Sequence, residues 1–223
     1  MISTFKSAIL FAISLSTIPA HADFEKGIAA YEANDLPLAY KEFRASADDG
    51  HADSQFNVAL MFEQGIGVEK DEKEAVSWYR KSAEQGNPLA QFNLGVLYEN
   101  GRGTKVDFEK ANEWYRKASK QGDPLAIGNL GMLHVRGDGV KVDKVAGVAL
   151  LLVSVTLDNS SANNARKNIS GTRGLTPDLI AEAQALSDKM MDGKDLLVPL
   201  DEYLKKDEPK KLESKTENAV PKP

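Results

Sequence analysis

The amino-acid sequence predicts an all-α fold in which αα-hairpins stack into a solenoid that is closed by a C-terminal capping helix. Residues 54–89 and 90–125 are identical at 16 of 36 aligned positions, whereas unrelated segments of average composition would share about two. Each unit contains two segments of helical periodicity, and no segment alternates apolar and polar residues over a length that would indicate a sheet. One short hairpin cannot bury its own apolar faces, so hairpins of this kind have to stack.

The first 22 residues have the pattern of a signal peptide. Residues 8–18 are almost wholly apolar, and Ala20-His21-Ala22 follows with the small-x-small spacing of a signal peptidase site. The apolar run is too short to span a membrane. We therefore expect residues 1–22 to be removed by cleavage after Ala22, and the mature chain to be periplasmic or secreted without stable membrane insertion. An uncleaved N-terminal anchor is the alternative.

The composition excludes several classes of function. The formal net charge is −5, which argues against a nucleic-acid partner because such proteins need a basic face. The chain has no cysteine, so disulfides, thiolate metal sites and cysteine nucleophiles are excluded. Stability after export therefore has to come from packing alone.

Each repeat carries its own start and stop signals for two helices. Asn87 and Asp123 are favourable N-caps, and the proline that follows each of them suits the first helical position. Asp71 and Asp107 are placed to cap the second helix of their units, and glycines end the helices. The predicted hairpins cover approximately residues 24–50, 54–86, 90–122 and 126–158.

One pattern within the repeat is specific to a known family. It reads Asn93-Leu94-Gly95-x-x-Tyr98-x-x-Gly101-x-Gly103-x-x-x-Asp107-x-x-x-Ala111-x-x-Trp114-Tyr115-x-Lys117-Ala118. This pattern resembles the Sel1-like repeat, a longer-looped relative of the tetratricopeptide repeat, and the resemblance covers about residues 24–158. The last copy departs from it, since His134 replaces the tyrosine and Leu150-Leu151 replaces the Trp-Tyr pair. We expect this copy to be degenerate and to lie near the end of the stack.

The C-terminal region is predicted to form a cap that closes the solenoid, followed by a weakly structured to disordered segment. Residues 160–193 form the expected cap, with a helix that starts at Thr176-Pro177 and ends at Gly193. The solenoid domain then covers residues 23–193. Residues 194–223 are expected to be weakly structured to disordered, because they end in a charged, proline-containing tail without aromatics.

The sequence offers no constellation for catalysis or for metal or cofactor binding. His51 and His134 fall at different repeat positions, and we interpret them as an exposed loop histidine and a packed one. No HExxH, GxSxG or phosphate-loop pattern occurs. We therefore expect a non-enzymatic protein with no catalytic, cofactor-binding or metal-binding residues. The alternatives are a cell-envelope enzyme or a peptidoglycan- or glycan-binding protein, and a secreted virulence factor that binds a host protein.

The resemblance also implies where a protein or peptide partner in the cell envelope would bind. In tetratricopeptide-type stacks the first helix of each hairpin lines the concave surface. The resemblance then assigns this surface to Phe56, Leu60, Glu63, Gln64, Phe92, Val96, Glu99, Asn100, Met132 and Arg136, with Val135 beside them. Such an apolar ladder edged by acids would suit an amphipathic or basic peptide. The alternative for Phe56 and Phe92 is that they pack between adjacent hairpins.

Overall fold

The computed structural model describes residues 22–160 and 163–206, which form eleven α-helices and no strand. The helices are α1 Ala22–Glu32, α2 Leu36–Asp48, α3 Ala52–Gln64, α4 Glu72–Glu84, α5 Pro88–Asn100, α6 Phe108–Lys120, α7 Pro124–Arg136, α8 Lys144–Leu157, α9 Ala165–Gly171, α10 Pro177–Asp192 and α11 Leu197–Lys205. Consecutive helices pair from α1–α2 to α7–α8, and each second helix packs on the first helix of the next hairpin. The predicted all-α hairpin solenoid is confirmed. The predicted signal peptide lies outside the described residues except for Ala22, where α1 begins.

Polar side chains cap the helices at equivalent places in each repeat. The first helices α3, α5 and α7 follow His51, Asn87 and Asp123, whose side chains each accept a hydrogen bond from the backbone N–H three residues on. Asp71 and Asp107 cap α4 and α6 in the same way. Each Asn or Asp cap contributes about 1 kcal/mol to helix stability. His51 was predicted to be an exposed loop residue, but it is half-buried and its ring packs 4.7 Å from that of Phe24.

The paired glycines that end each first helix have two separate roles. Gly101 takes the left-handed conformation, with φ of 67°, and its N–H bonds to the carbonyl of Leu97 to close α5. Gly103 also has a positive φ, and a Cβ there would collide with the carbonyl group of Glu72 at the start of α4. The loop of one hairpin therefore packs on the helix start of the hairpin before it, and only glycine fits this contact.

The repeated run Trp-Tyr-Arg-Lys divides its side chains between the two sides of the second helix. On α4, the ammonium of Lys81 lies 3.5 Å from the centre of the Trp78 ring, which is a cation–π contact. Tyr79 on the same helix is fully buried. The guanidinium of Arg80 donates to the hydroxyl of Tyr98 in the next hairpin at 2.8 Å. Each position of the run thus has its own contact within the stack.

The C-terminal helices close the open end of the stack and then turn back along it. Helices α9 and α10 pack on α8, and α11 contacts α6, α8 and α10. Leu197 and Leu200 of α11 are fully buried, and Asp201 accepts an ion-paired hydrogen bond from Arg116 of α6. The expectation of a weakly structured segment from residue 194 is therefore wrong for α11, because two leucines one turn apart and an ion pair hold it to the solenoid. Residues 207–223 lie outside the described residues.

Within the described residues, none of the helices combines the length and the apolar character needed to cross a membrane.

His134 is buried beneath this C-terminal region, as the sequence predicted. Its side chain is 3% exposed and neither ring nitrogen has a hydrogen-bond partner among the described residues. Burial lowers the pKa of His134, and the nearby charges act in both directions, since Asp143 and Asp201 raise the pKa and Arg116 lowers it. The folded protein therefore disfavours the charged imidazolium at this position.

This burial predicts a specific dependence of stability on pH. In the unfolded chain His134 titrates near a pKa of about 6.5, above its value in the folded protein. The stability that the buried, neutral His134 contributes is therefore fully present above that pH. It is lost as the pH falls through about 6.5 towards the pKa of His134 in the folded protein. We expect the urea midpoint to drop more between about pH 7.5 and about pH 5.5 in the wild type than in His134→Phe. Phenylalanine is the natural residue at the equivalent Phe62, and an equal drop in both proteins would contradict the assignment.

Candidate functional site

The predicted partner-binding residues lie at equivalent positions on α3, α5 and α7, but they differ strongly in burial. Phe56 and Leu60 belong to the core, with 4% and 6% of their surface exposed. Five are half-buried, namely Glu63, Phe92, Val96, Glu99 and Met132. The exposed ones are Gln64, Asn100 and Arg136. We use the name first-helix face for the accessible residues Gln64, Val96, Asn100, Met132 and Arg136.

The two phenylalanines pack inside their own hairpins. The ring of Phe56 lies 5.7 Å from that of Tyr79, and the ring of Phe92 lies 6.1 Å from that of Tyr115. In each case the tyrosine belongs to the second helix of the same hairpin, so these ring contacts lie within hairpins. Phe56 is not available to a partner, and Phe92 offers only part of its surface.

The two glutamates are engaged in contacts within the protein. The Tyr79 hydroxyl donates to Glu63 at 2.7 Å, and the Tyr115 hydroxyl donates to Glu99 at the same distance. An arginine of the following hairpin pairs with each carboxylate, at 3.0 Å for Arg102–Glu63 and 3.3 Å for Arg136–Glu99. The two acids predicted at the edge of the groove are therefore engaged within the stack, where an arginine balances the charge of each.

Each buried tyrosine also receives a hydrogen bond from the next first helix. Asn129 of α7 donates to the Tyr115 hydroxyl at 3.1 Å, and Asn93 of α5 bonds to Tyr79 in the same way. Burial raises the pKa of both tyrosines, and the neighbouring Glu63 and Glu99 raise it further. We call each set of Tyr, Glu and Asn a tyrosine hub. Each hub joins both helices of one hairpin to the first helix of the next.

The hub is replaced as a whole in the last repeat. The residues 36 positions after Glu99, Tyr115 and Asn129 are Val135, Leu151 and Ala165. Leu151 and Ala165 are buried, so buried apolar side chains stand where the earlier repeats have the polar network. The three positions change together because a hydroxyl, a carboxylate or an amide left alone in this place would lose its partners.

The first hairpin lacks the hub in a different way. Phe43 stands 36 residues before Tyr79 and Gly27 stands 36 before Glu63, and a Cβ on Gly27 would lie 2.5 Å from the Phe43 ring. Asn57 stands 36 residues before the hub residue Asn93, but Phe43 replaces the tyrosine to which it would donate. Its side chain is fully buried, and neither polar atom has a hydrogen-bond partner among the described residues.

A cleft of about 550 Å³ lies beyond the last hub, where α7 meets α9 and the turn that follows it. Its lining comprises Met132, Val135, Arg136, Lys167, Asn168, Ser170, Gly171, Thr172 and Arg173. The lining contains three cationic side chains and no carboxylate. It therefore differs from the surface along α3 and α5, where glutamates pair with arginines. In the part of the chain that the structure describes, no group of three His, Asp or Glu side chains is arranged to hold a metal ion.

The repeats belong to a known family. Residues 52–87, 88–123 and 124–157 each match the Sel1 repeat, and each range spans one hairpin, from α3–α4 to α7–α8. The chain therefore contains three consecutive Sel1-like repeats, as its sequence motif predicted. Solenoids of this kind present extended surfaces to other proteins, so the chain has the architecture of a protein-interaction scaffold.

Several solved structures are similar to this chain, among them the following two. A Sel1 repeat protein from Oxalobacter formigenes is 31% identical with a TM-score of 0.57, and the match covers 60% of this chain and 58% of that one. The protein c5321, a protective antigen present in uropathogenic Escherichia coli strains that displays an SLR fold, is 26% identical with a TM-score of 0.52. That match covers 90% of this chain and 50% of the antigen. The chain thus spans 58% of the length of the first structure and 50% of the second, and no curated protein matches it.

The hubs predict opposite effects for the same substitution in two repeats. Asn129→Ala removes a donor from the buried Tyr115 hydroxyl, and we expect it to lower the free energy of unfolding by about 1 kcal/mol. Asn57→Ala is the matched control, because it sits at the equivalent helix position and removes an amide without partners. It should leave stability unchanged or raise it, and urea denaturation measures both. If both variants lost the same free energy of unfolding, the hub would make no net contribution to stability.

Proposed function

We propose that the mature chain is an exported, non-enzymatic scaffold that binds a protein or peptide partner through the first-helix face. One observation supports this most directly. The hubs engage the glutamates and bury the tyrosines, while the next residue along each first helix, Gln64, Asn100 or Arg136, remains exposed on α3, α5 and α7. The stack therefore presents the same kinds of side chain at intervals of one hairpin.

The chemistry of this face suits an extended or helical peptide. Val96 and Met132 are half-buried apolar side chains at equivalent positions of successive hairpins, which gives a partner two anchor points. Asn100 and Arg136 are exposed beside them and can supply polar contacts at the rim. Partially buried apolar anchors surrounded by polar groups carry most of the affinity in such interfaces.

Export is part of the proposal and is supported by the sequence pattern of residues 1–22. The likeness to a protective antigen of uropathogenic strains favours a second candidate, in which the chain is secreted and binds a host protein. Both candidates use the same face and differ in the location of the mature chain. Fractionation of the native host into cytoplasm, periplasm, membranes and medium distinguishes them, and recovery in the cytoplasm with residues 1–22 uncleaved would contradict both.

The test of the binding face compares residues 23–223 as wild type, Val96→Lys and Val198→Lys. Val198 lies on α11 and is 49% exposed, so its variant adds the same charge at a distance from the proposed face. A long lysine side chain can extend its ammonium to water, and circular dichroism verifies that helicity is retained.

We expect quantitative affinity capture from an envelope extract to recover a protein with the wild type and Val198→Lys, and to lose about tenfold or more of it with Val96→Lys. Capture of the same set by all three proteins, or of nothing by any of them, would contradict the proposal.

A further inference from the structure

The cleft between α7 and α9 lies where the first-helix face ends, and it differs in charge from the repeats before it. In the earlier repeats, Glu63 and Glu99 each pair with an arginine of the following hairpin. The equivalent residue in the last repeat is Val135, which lines the cleft. The carboxylate that the repeat pattern provides is therefore missing at this end of the stack.

The arginine that would pair with that carboxylate is still present. Arg173 precedes Gly174 as Arg136 precedes Gly137, and both glycines are left-handed, with φ of 74° and 81°. Arg173 lines the cleft together with Val135. It is exposed and forms no ion pair within the described residues, so it is placed at its turn as Arg136 is, but without the carboxylate that pairs with Arg136.

Other cations reinforce this imbalance. Lys167 of α9 also lines the cleft, is exposed and forms no ion pair within the described ranges. The Lys144 ammonium donates to the backbone carbonyl of Arg173 at 2.8 Å, which holds the turn in place and adds a further positive charge. Arg136 is the exception, because Glu99 and Asp138 pair with it at 3.3 Å and 3.6 Å.

The floor of the cleft is apolar. Met132 and Val135 are half-buried and lie on the last two turns of α7. An apolar floor beside two unpaired cations is complementary to a peptide that carries an apolar side chain next to carboxylates. The net charge of the whole chain is −5, which opposes the approach of a long polyanion and favours a short acidic segment.

We propose that this cleft binds an acidic segment of a protein partner, in which a carboxylate pairs with Arg173 and Lys167 and an adjacent apolar side chain packs on Met132 and Val135. The partner's carboxylate takes the place of the glutamate that the last repeat lacks. The inference rests on the proposed function and deepens it. The sequence led us to expect an amphipathic or basic peptide, and the charges of the cleft favour an acidic one instead.

The test uses a random twelve-residue peptide library displayed on phage, selected against residues 23–223. The most enriched peptide is then synthesised with a fluorescent label and titrated by fluorescence anisotropy. Val135→Glu restores the missing carboxylate within the protein, and Arg173→Glu reverses the charge of the unpaired arginine. Val198→Glu adds the same charge on α11 as the matched control, and circular dichroism verifies that all variants fold.

We expect selected peptides enriched in Asp and Glu around one large apolar residue. Their affinity should fall about tenfold or more in Val135→Glu and in Arg173→Glu, remain unchanged in Val198→Glu, and weaken with added salt. Arg173 is exposed, so Arg173→Glu keeps the test valid if Val135→Glu fails to fold.

Three outcomes would overturn the inference. Peptides that lose affinity with Val96→Lys but not with Arg173→Glu would leave the proposed function intact and place the binding site elsewhere on the face. Selection of neutral or basic peptides would contradict the proposed chemistry. Stronger binding of phosphatidylglycerol vesicles than of any peptide, abolished by Arg173→Glu, would assign the cleft to a membrane surface instead.

Discussion

A buried tyrosine hydroxyl needs hydrogen-bond partners, and this requirement determines how one hairpin sits on the next. An unsatisfied buried group of this kind costs about 1–3 kcal/mol. In two of the repeats the hydrogen-bonded groups come from three helices: Tyr115 lies on α6, and its partners Glu99 and Asn129 lie on α5 and α7. The bonds form together only at one relative position of the hairpins. Apolar packing supplies most of the stability of such a stack, and the hub selects the register in which it packs.

The hubs also explain the character of the accessible surface. They engage acidic side chains that would otherwise give the first-helix face a strong negative charge, and their arginines come from the next hairpin. Where the pattern ends, at Val135, the apolar replacement leaves Arg173 without its counterpart. The same interaction that holds the repeats together thus accounts for the unpaired charge at the C-terminal cleft.

Much of the fold could be predicted from the sequence, because the signals for it are local and repeated. Cap residues such as Asp107, and glycines that end a helix such as Gly101, each act within one helical turn, and both recur every 36 residues. The role of Glu99 was missed, since its partner Tyr115 lies 16 residues away and both match the repeat equally well. The joint change to Val135, Leu151 and Ala165 was the available signal that these positions contact one another.

Two other features could not be predicted for a related reason. Helix α11 has nine residues and depends on surfaces provided by distant helices, so its local composition resembles that of an unstructured tail. The first hairpin matches the repeat weakly, and the absence of a partner for Asn57 becomes visible only when Phe43 is placed opposite it. In both places tertiary contacts decide the outcome, and short-range patterns do not contain them.

The most direct test of this account is a double-mutant cycle on the hub of Tyr79, with Tyr79→Phe, Asn93→Ala and the double variant compared by urea denaturation. If the hub joins the two hairpins, the losses in free energy of unfolding are not additive, and the coupling is about 1 kcal/mol. Additive losses would show that the two side chains act independently. The register of the stack would then have to be set by apolar packing alone.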